Sequence, residues 1–423
     1  MKILVIGSGG REHAIIRKLK QSPRVTEIFA LPGNGGIQRD AVCIPGNAKD
    51  IPGIVAAAKA HAVDLVVVAP DDPLVLGAVD ALHEAGFACF GPDRAAAAIE
   101  GSKVFSKNLM QKYGIPTAAY RVFDNPADAL AYLEDAPIPI VVKADGLALG
   151  KGALVCMTRG EAFSAIHSLM EDRVFGESGS RVVIEEFLEG PEVSVLSFTD
   201  GKTVVPMISS MDHKRARDGD CGLNTGGMGA VAPNPYYTPE IAERCMDTIF
   251  LPTIRAMRAE GRPFKGCLYF GLMLTASGPK VIEYNCRFGD PETQVVLPLL
   301  ESDLAEIMLS VEQERLSDCP VRFSNRHACC VVLASDGYPE SYQTGFPITV
   351  DADFCAELYA AGVKTDAGGR LISAGGRVLG VVATDKTLRG AVDRAYAAAD
   401  KVRFENAYCR RDIGARALSA AED

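Results

Sequence analysis

Short apolar runs alternate with helical patterns through the first hundred residues, and this alternation narrows the possible folds most. Continuous apolar segments occur at ILVIG (3–7), EIFAL (27–31) and DLVVVAP (64–70), with helical patterns between them. Unbroken apolar runs are typical of strands buried on both faces, and strands separated by helices indicate a parallel sheet. We therefore predict an N-terminal α/β domain with a Rossmann-like parallel sheet over residues 1–101.

The remaining chain predicts two further domains of α/β and α+β character. A chain of 423 residues is long for one hydrophobic core. The middle region, 102–325, mixes strands with glycine-rich loops and with predicted helices at 101–116 and 238–260. After this region, short strands and Gly-rich turns predict a small α+β module over 326–423.

Composition and charge exclude several classes of protein. The net charge of −10 argues against a nucleic-acid partner, which requires an excess of Lys and Arg. The segment MKILVIGSGGREH has too few consecutive apolar residues for a signal peptide or a membrane helix. The twelve cysteines are scattered and form no zinc-binding pattern. We expect a reduced, soluble, cytoplasmic protein without a membrane partner. We also expect it to be a monomer, with a dimer as the alternative.

The segment GSGGREHA (7–14) lies between a predicted strand and a predicted helix. Backbone N–H groups and the helix dipole favour an anion at such a turn, and Arg11 adds a positive charge. The dinucleotide pattern Gly-x-Gly-x-x-Gly fails because its last position is Glu12, which argues against an NAD site. Phosphate capture is the favoured interpretation, and a tight turn without a ligand stays open.

Two further segments carry polar groups that suit a nucleotide. KADGLALGKGA (143–153) places Lys143 and Lys151 around glycines, so its backbone could approach a polyphosphate closely. VVIEEFLEG (182–190) could be a hinge whose main chain binds a flat heterocycle, or an exposed strand end. The alternative for Lys143, Lys151 and Lys107 is that each is an ordinary solvated lysine on the surface.

The segment 209–233 is predicted to be a loop throughout, and a loop this long inside a compact domain is usually functional or disordered. It contains DHKR (212–215) and NTGGMGA (224–230). A run of charges is usually a solvated face. The glycines near the charged run 212–215 favour instead a backbone that fits closely around a small polar ligand.

The strongest single pattern is KVIEYNCRFGDPETQ (280–294). Alternate side chains of a strand share a face. The expected faces are Val281, Glu283, Asn285 and Arg287 on one side, and Ile282, Tyr284, Cys286 and Phe288 on the core side. Glu283 and Asn285 are hard oxygen donors that suit Mg²⁺ together with nucleotide phosphates, and Arg287 could clamp a carboxylate or phosphate. A structural ion pair is the alternative.

Taken in order, nine segments resemble the glycinamide ribonucleotide synthetase family of the ATP-grasp superfamily, from one end of the chain to the other. They are VIGSGGREHA, PGNGG, EGSKVFSK, VVKADGLALGKG, VIEEFLEGPEVS, DHKR, NTGGMGA, VIEYNCRFGDPETQ and YCRRDIG. The resemblance implies a pre-ATP-grasp domain, an ATP-grasp domain with a mobile subdomain at about 117–190, and a C-terminal domain. It also implies that glycine is ligated to 5-phosphoribosylamine through a glycyl phosphate, with ATP converted to ADP and phosphate, in de novo purine (IMP) biosynthesis.

The resemblance also implies roles for individual residues. Lys143, Asp212 and Arg287 are the expected catalytic residues, and Glu283 and Asn285 the expected ligands of Mg²⁺ or Mn²⁺. The expected ATP-binding residues are Lys107, Lys143, Asp145, Gly150, Lys151, Gly152, Glu185, Glu186, Phe187, Leu188 and Glu192. The expected substrate-binding residues are Gly9, Gly10, Arg11, Pro32, Gly33, Asn34, Asp212, Lys214, Asn224, Thr225, Gly226, Gly227, Met228, Arg287 and Asp290.

Some positions depart from the family pattern. Asp71 stands where a glutamate is expected, Asp72 adds a charge, Leu149 replaces a small residue and Leu223 replaces a proline. The strand CLYFGLML (267–274) lacks the acid that many relatives offer to the metal, so the number of metal ions stays open. Two rival functions are another ATP-grasp ligase or carboxylase, and a nucleotide-binding protein without turnover.

Overall fold

The computed structural model describes residues 1–148 and 152–422, and it contains an N-terminal, a middle and a C-terminal domain. The N-terminal domain comprises β1 Lys2–Gly7, α1 Gly10–Leu19, β2 Glu27–Pro32, β3 Val42–Cys43, α2 Ile51–His61, β4 Leu65–Val68, α3 Asp71–Leu76, α4 Ala78–Glu84, β5 Ala88–Phe90 and α5 Arg94–Gly101. Its five strands form a parallel sheet in the order β3-β2-β1-β4-β5. This arrangement confirms the predicted N-terminal parallel sheet.

Both faces of the N-terminal sheet are buried, which explains why its strands are apolar without alternation. Ile3 and Val5 pack with α1 on one face, whereas Leu4 and Ile6 pack with α2 and α4 on the other. All four side chains are fully buried. Because the strands are parallel, their carboxyl ends share one edge, where the turn into α1 begins.

Within the described residues, the middle domain contains two four-stranded antiparallel sheets. Its elements are α6 Lys103–Tyr113, β6 Tyr120–Phe123, α7 Pro126–Asp135, β7 Ile140–Ala144, β8 Ala153–Cys156, α8 Arg159–Ile166, β9 Val182–Glu186, β10 Glu192–Asp200, β11 Val204–Pro206, β12 Met211–Asp212, β13 Arg215–Arg217, β14 Cys221–Asn224, β15 Gly229–Ala232, α9 Pro239–Cys245, α10 Leu251–Ala259, β16 Lys265–Thr275, β17 Gly278–Asn285, α11 Glu292–Val296 and α12 Leu304–Glu312. One sheet has the order β6-β9-β7-β8 and a core of its own beneath α7 and α8. The other has the order β11-β10-β16-β17.

The C-terminal domain is built on a sheet that it shares with the middle domain. It comprises β18 His327–Ser335, β19 Thr349–Val350, β20 Glu357–Ala360, β21 Val363–Thr365, β22 Leu371–Ser373, β23 Arg377–Asp385, α13 Leu388–Ala399, β24 Val402–Arg403, β25 Ala407–Tyr408 and α14 Ala415–Glu422. The shared antiparallel sheet has the order β12-β15-β18-β23-β20, with β25 also paired to β18. Thus β12 and β15 lie before the predicted boundary at 325 but pair within the C-terminal sheet.

Two predicted helices are present but differ in detail, and one loop prediction was wrong. The predicted helix 101–116 begins only at Lys103, because the Ser102 side chain accepts a hydrogen bond from Phe105 N and caps α6. The predicted helix 238–260 is present as one continuous helical run over 239–259, in which a wider π-helical turn, Met246–Phe250, joins α9 to α10. The segment 209–233 is not a loop throughout: it contributes β12 and β15 to the shared sheet and forms the β13–β14 hairpin.

A β-bulge in β17 alters the predicted alternation of its faces. Glu283 pairs with Gly271 of β16, but the next pair joins Val281 to Leu272, so Ile282 is the extra residue. Val281 is therefore fully buried in the core, on the side predicted for its even-numbered neighbours. Ile282 lies instead on the cavity described below.

No helix within residues 1–148 and 152–422 is long and apolar enough to cross a membrane.

Gly190 offers a test of the junction between the two sheets of the middle domain. Its φ is +147°, and a Cβ there would lie 2.1 Å from the carbonyl oxygen of Leu274. We expect Gly190→Ala to destabilise the protein by about 1–3 kcal/mol, seen as a lower thermal midpoint by circular dichroism. In the matched control Gly160→Ala, on α8, the added methyl meets no atom within 4 Å. That variant should be at least as stable as the wild type, and equal midpoints for both variants would contradict the prediction.

Candidate active site

All three domains line one cavity of about 580 Å³. Arg11 comes from the N-terminal domain, Glu283 from the middle domain and Arg377 from the C-terminal domain. The predicted site residues that line it are Arg11, Lys107, Lys143, Gly152, Glu185, Glu186, Phe187, Leu188, Glu192, Asp212, Lys214, Asn224, Thr225, Gly226, Glu283, Asn285, Arg287 and Asp290. Residues that are far apart in sequence therefore meet on one concave surface.

Two buried lysines share one carboxylate in the cavity wall. Glu185 Oε2 lies 3.1 Å from Lys107 Nζ and 3.0 Å from Lys143 Nζ, and all three side chains are no more than 5% exposed. Lys107 also donates to Thr117 Oγ1 at 2.7 Å, and Lys143 to the carbonyl of Ile282 at 3.0 Å. Burial lowers the pKa of Lys107 to about 8, although Glu185 favours its charged form. The three charges sum to one net positive charge, which suits a phosphate.

The end of β9 leads directly into the cavity. Glu185 and Glu186 are the last residues of the strand, and Phe187 and Leu188 continue along the cavity wall. Oε1 of Glu185 is buried and has no hydrogen-bond partner. An unpaired buried carboxylate oxygen costs free energy unless a ligand donates to it. The strand end therefore offers main-chain groups and one free acceptor to a ligand.

Glu283 and Asn285 line the cavity as adjacent hard oxygen donors on one face of β17. Burial alone would raise the pKa of Glu283, but the ammonium groups of Lys214 and Lys143 hold it below its ordinary value. Glu283 is therefore ionised at neutral pH, as a metal ligand requires. Within residues 1–148 and 152–422, no group of three or more His, Cys, Asp or Glu side chains could hold a metal ion. A cation bound here would need ligand or water oxygens as well.

Arg287 is held in place by protein partners. Its Nη2 lies 3.1 Å from Glu100 Oε1 and donates to Asn285 Oδ1 at 3.1 Å. Despite the cost of burial, Glu100 and Asp71 raise the pKa of Arg287 above its ordinary value. Burial would raise the pKa of Asp71, but the guanidinium groups of Arg287 and Arg11 keep it low. This end of the cavity therefore holds fixed charges of both signs.

The glycine-rich turn after β14 packs against a buried carboxylate. Asp212 Oδ1 is buried without a hydrogen-bond partner, and burial together with the nearby Glu292 carboxylate raises the pKa of Asp212 well above its ordinary value. A Cβ at Gly227, whose φ is +109°, would lie 2.6 Å from that oxygen. Arg377 Nη1 donates to the carbonyl of Gly226 at 2.6 Å, and Nη2 lies 3.3 Å from Asp290 Oδ2. The C-terminal domain therefore fixes this turn.

Several predicted site residues do not line this cavity. The N–H of Gly9 donates to Glu12 Oε2 at 2.5 Å, so a carboxylate already occupies this turn. Asn34 donates to the carbonyls of Ser8, Ala360 and Ala361 and accepts from the N–H groups of Gly36 and Ile37, which joins two domains. The others, with no place among the lining residues, are Gly10, Pro32, Gly33, Gly227 and Met228.

Asp145 is engaged by the protein itself. Its Oδ1 accepts from Ser102 Oγ and Val104 N, both at 2.8 Å, and its Oδ2 pairs with Arg181. It therefore holds the start of α6. The predicted ATP-binding residues Gly150 and Lys151, together with Leu149, lie outside the described residues.

The cavity also contains residues that the sequence did not single out: Glu100, Lys103, Tyr269, Glu292 and Arg377. Lys103 Nζ donates to the carbonyl of Gly146 at 3.0 Å, and burial lowers the pKa of Lys103. Glu100 and Lys103 stand inside the recognised segment EGSKVFSK, which could have drawn attention to them. Tyr269 and Arg377 stand in strands that resemble ordinary core.

Three family models match the chain in succession. They describe phosphoribosylglycinamide synthetase, with its N domain over residues 1–100, its ATP-grasp (A) domain over 101–293 and its C domain over 328–416.

Similar proteins cover nearly the whole chain. A phosphoribosylamine–glycine ligase of Allochromatium vinosum is 47% identical, and one of Vibrio vulnificus is 48% identical, each over 99% of both chains. A crystal structure of phosphoribosylamine–glycine ligase from Thermotoga maritima has a TM-score of 0.85 at 34% identity and covers 98% of this chain and all of that one. The biotin carboxylase domain of a Hydrogenobacter thermophilus 2-oxoglutarate carboxylase has a TM-score of 0.75 at 18% identity, covering 96% of this chain and 91% of that one. This last likeness shows the fold alone.

The carboxylate between the two buried lysines allows a direct test. Glu185→Gln would leave Lys107 and Lys143 buried without their shared counter-charge, so we expect a loss of about 3–5 kcal/mol in urea unfolding. Glu314→Gln is the matched control, because Glu314 also contacts two lysines, Lys202 and Lys265, but is 38% exposed. Its cost should be below about 1 kcal/mol. Similar losses in the two variants would show that burial does not control this cluster.

Proposed function

The chain belongs to the phosphoribosylglycinamide synthetase family, and we propose that it ligates glycine to 5-phosphoribosylamine while ATP is converted to ADP and phosphate. The single observation that carries this proposal is the match of all three family domains in order along the chain. The sequence prediction of the family and of its fold is confirmed. The reaction belongs to purine biosynthesis. Monomeric assembly and cytoplasmic location stay predictions.

The chemistry requires activation of a poor electrophile. We propose that a carboxylate oxygen of glycine attacks the γ-phosphorus of ATP, ADP departs, and glycyl phosphate forms. The amine nitrogen of phosphoribosylamine then attacks the acyl carbon, phosphate leaves with its electron pair, and the nitrogen loses a proton. Phosphoryl transfer depends on positioning and charge neutralisation more than on a protein nucleophile. The cavity, rich in Lys and Arg, suits such chemistry.

The nucleotide would occupy the end of the cavity near β9. The net positive charge of Lys107, Lys143 and Glu185 would face the phosphates. The main chain at Glu186 and Leu188 would hold adenine, for which the free Oε1 of Glu185 offers a further acceptor. Glu192, which lies 2.8 Å from Lys214 Nζ, would accept from the ribose hydroxyls.

A divalent cation would be held by Glu283 and Asn285, and either Mg²⁺ or Mn²⁺ suits these oxygens. When bound, such a cation neutralises the charge of the transferring phosphate. Lys143 Nζ donates to the carbonyl of Ile282, directly beside Glu283. The lysine and the two oxygen donors are therefore held against the same stretch of strand, so charge neutralisation can act at one point.

The remaining substrates would occupy the opposite end of the cavity. Arg287, Asp212 and the turn at 224–228 would contact glycine and the developing acyl phosphate. Gly9, Gly10 and Arg11, together with the turn 32–34, would face phosphoribosylamine. Water must be kept from the acyl phosphate, and closure of the subdomain at about 117–190 would exclude it.

The function is tested by ADP release with glycine and with phosphoribosylamine generated in place from ribose 5-phosphate and ammonia. We expect ADP release to require glycine, and glycinamide ribonucleotide to appear only when every substrate is present. Mass spectrometry of the product separates this reaction from that of any other ligase. ADP release that ignores glycine, or that responds to bicarbonate, would refute the proposal.

The proposed metal ligand is tested by Glu283→Gln, which keeps the side-chain size but removes the charge. Since ligand charge controls affinity for hard cations, we expect Mn²⁺ binding with ADP present to weaken at least about tenfold. Electron paramagnetic resonance of free Mn²⁺ measures this directly. Glu27→Gln, at a 42% exposed site on the first residue of β2, is the control and should bind Mn²⁺ normally. Equal affinities in the two variants would remove Glu283 from the metal site.

A further inference from the structure

We propose that the C-terminal strap, residues 410–414, positions the active-site hairpin, residues 213–224, and that Arg410 is the positioning residue for Lys214. The hairpin contributes Lys214, Arg215 and Asn224 to the cavity. No residue of the strap lines the cavity, so Arg410 acts through the hairpin. The inference rests on the proposed function only for the chemical role of Lys214.

Arg410 is the anchor of the strap. Its side chain is only 1% exposed, which is rare for an arginine unless its charge is fully paired. Nε and Nη2 both reach the carboxylate of Asp412 at 2.8 Å. Nη1 lies 2.9 Å from Asp220 Oδ1 and donates to the carbonyl of Arg215 at 3.0 Å. One guanidinium therefore joins the strap to two separate points of the hairpin.

Further hydrogen bonds attach the strap along the same hairpin. Asp412 Oδ2 accepts from the N–H of Gly219 at 2.8 Å, and the N–H of Arg411 donates to Asp218 Oδ1 at 2.8 Å. The tip of the hairpin is thus held by main-chain and side-chain groups of the strap. Arg416, just beyond the strap, lines the cavity and lies 3.4 Å from Asp220 Oδ2.

His213 attaches the start of the hairpin. Its Nε2 accepts from the N–H of Gly414 at 3.1 Å, and its Nδ1 lies 3.2 Å from the carbonyl of Gly229. Burial and the Arg410 charge lower the pKa of His213 to about 4, so the ring is neutral at physiological pH. A neutral ring with its proton on Nδ1 satisfies both contacts.

Lys214 lies between two attached residues, His213 and Arg215, so its Cα has little freedom. Its Nζ lies 2.8 Å from Glu192 Oε2, and its carbonyl accepts from both the N–H and the hydroxyl of Thr225 at 2.8 Å. Lys214 therefore connects the proposed ribose end of the cavity with the glycine-rich turn. A shift of about 1 Å in such a group can cost about a hundredfold in rate.

The test compares Arg410→Lys with the matched control Arg403→Lys. Lysine keeps the positive charge but cannot bond Asp412, Asp220 and Arg215 at once. Arg403 makes the same bidentate contact with Asp351 but is 62% exposed on β24, away from the hairpin. Brief trypsin digestion of the native proteins, followed by mass spectrometry, reports cleavage after Lys214, Arg215 and Arg217. Circular dichroism confirms that each variant is folded.

For Arg410→Lys we expect cleavage within the hairpin to rise at least about tenfold and kcat to fall by about a hundredfold. ADP affinity should fall by a smaller factor than kcat: Lys214 contacts Glu192 at the proposed ribose end, but Lys107 and Lys143, which would face the phosphates, do not contact the strap. Arg403→Lys should match the wild type in all three measurements. A general loss of stability would instead increase cleavage throughout the chain.

A folded Arg410→Lys that matches the control in hairpin cleavage and kcat would overturn the inference. Should this variant fail to fold, Asp412→Asn applies the same criteria, because it weakens the Arg410 contact and the acceptor for Gly219 N. The cleavage measurement needs no substrate. It therefore tests the positioning role of the strap even if the wild-type protein does not ligate glycine. Failure of this inference can thus be distinguished from failure of the proposed function.

Discussion

The site depends on one buried carboxylate that holds two buried ammonium groups. Glu185 contacts both Lys107 and Lys143, and the cluster retains one positive charge. Neutral acceptors, Thr117 Oγ1 and the carbonyl of Ile282, hold the two lysines without cancelling that charge. Since moving a charge out of water is costly, the cluster is most stable when an anion completes it. A preformed cation site of this kind favours phosphate without large rearrangement.

The same interaction explains why the β-bulge in β17 matters. The extra residue, Ile282, lines the cavity, and its carbonyl accepts from Lys143. Beyond the bulge, Glu283 and Asn285 face the cavity, while Val281 joins the core. A regular strand would have placed Val281 on the polar face. The bulge therefore lets one strand serve the hydrophobic core and the charged wall in close succession.

Sequence patterns predicted the N-terminal sheet because Leu4 and Val5 lie on opposite faces that are both buried, which produces an unbroken apolar run. They also predicted the row of Glu283, Asn285 and Arg287, because alternate residues of a strand share one face and burial alone does not require polar side chains on it. They could not predict the bulge, whose register is set by pairing with β16. They missed Arg377, whose partners Gly226 and Asp290 are brought close only by the shared sheet. Long-range pairing leaves no local signature.

The shared sheet gives the C-terminal domain a direct part in the site. Because β12 and β15 belong to that sheet, Asp212 is attached to the C-terminal domain although it lies in the middle region of the sequence. Asn34 and His13 join the N-terminal domain to the same side, through hydrogen bonds with the backbone at Ala360. A reactive acyl phosphate requires walls that stay together while only the nucleotide side opens. The four-stranded sheet of β6 to β9 has its own core and takes no part in these connections, so we propose it as the element that opens.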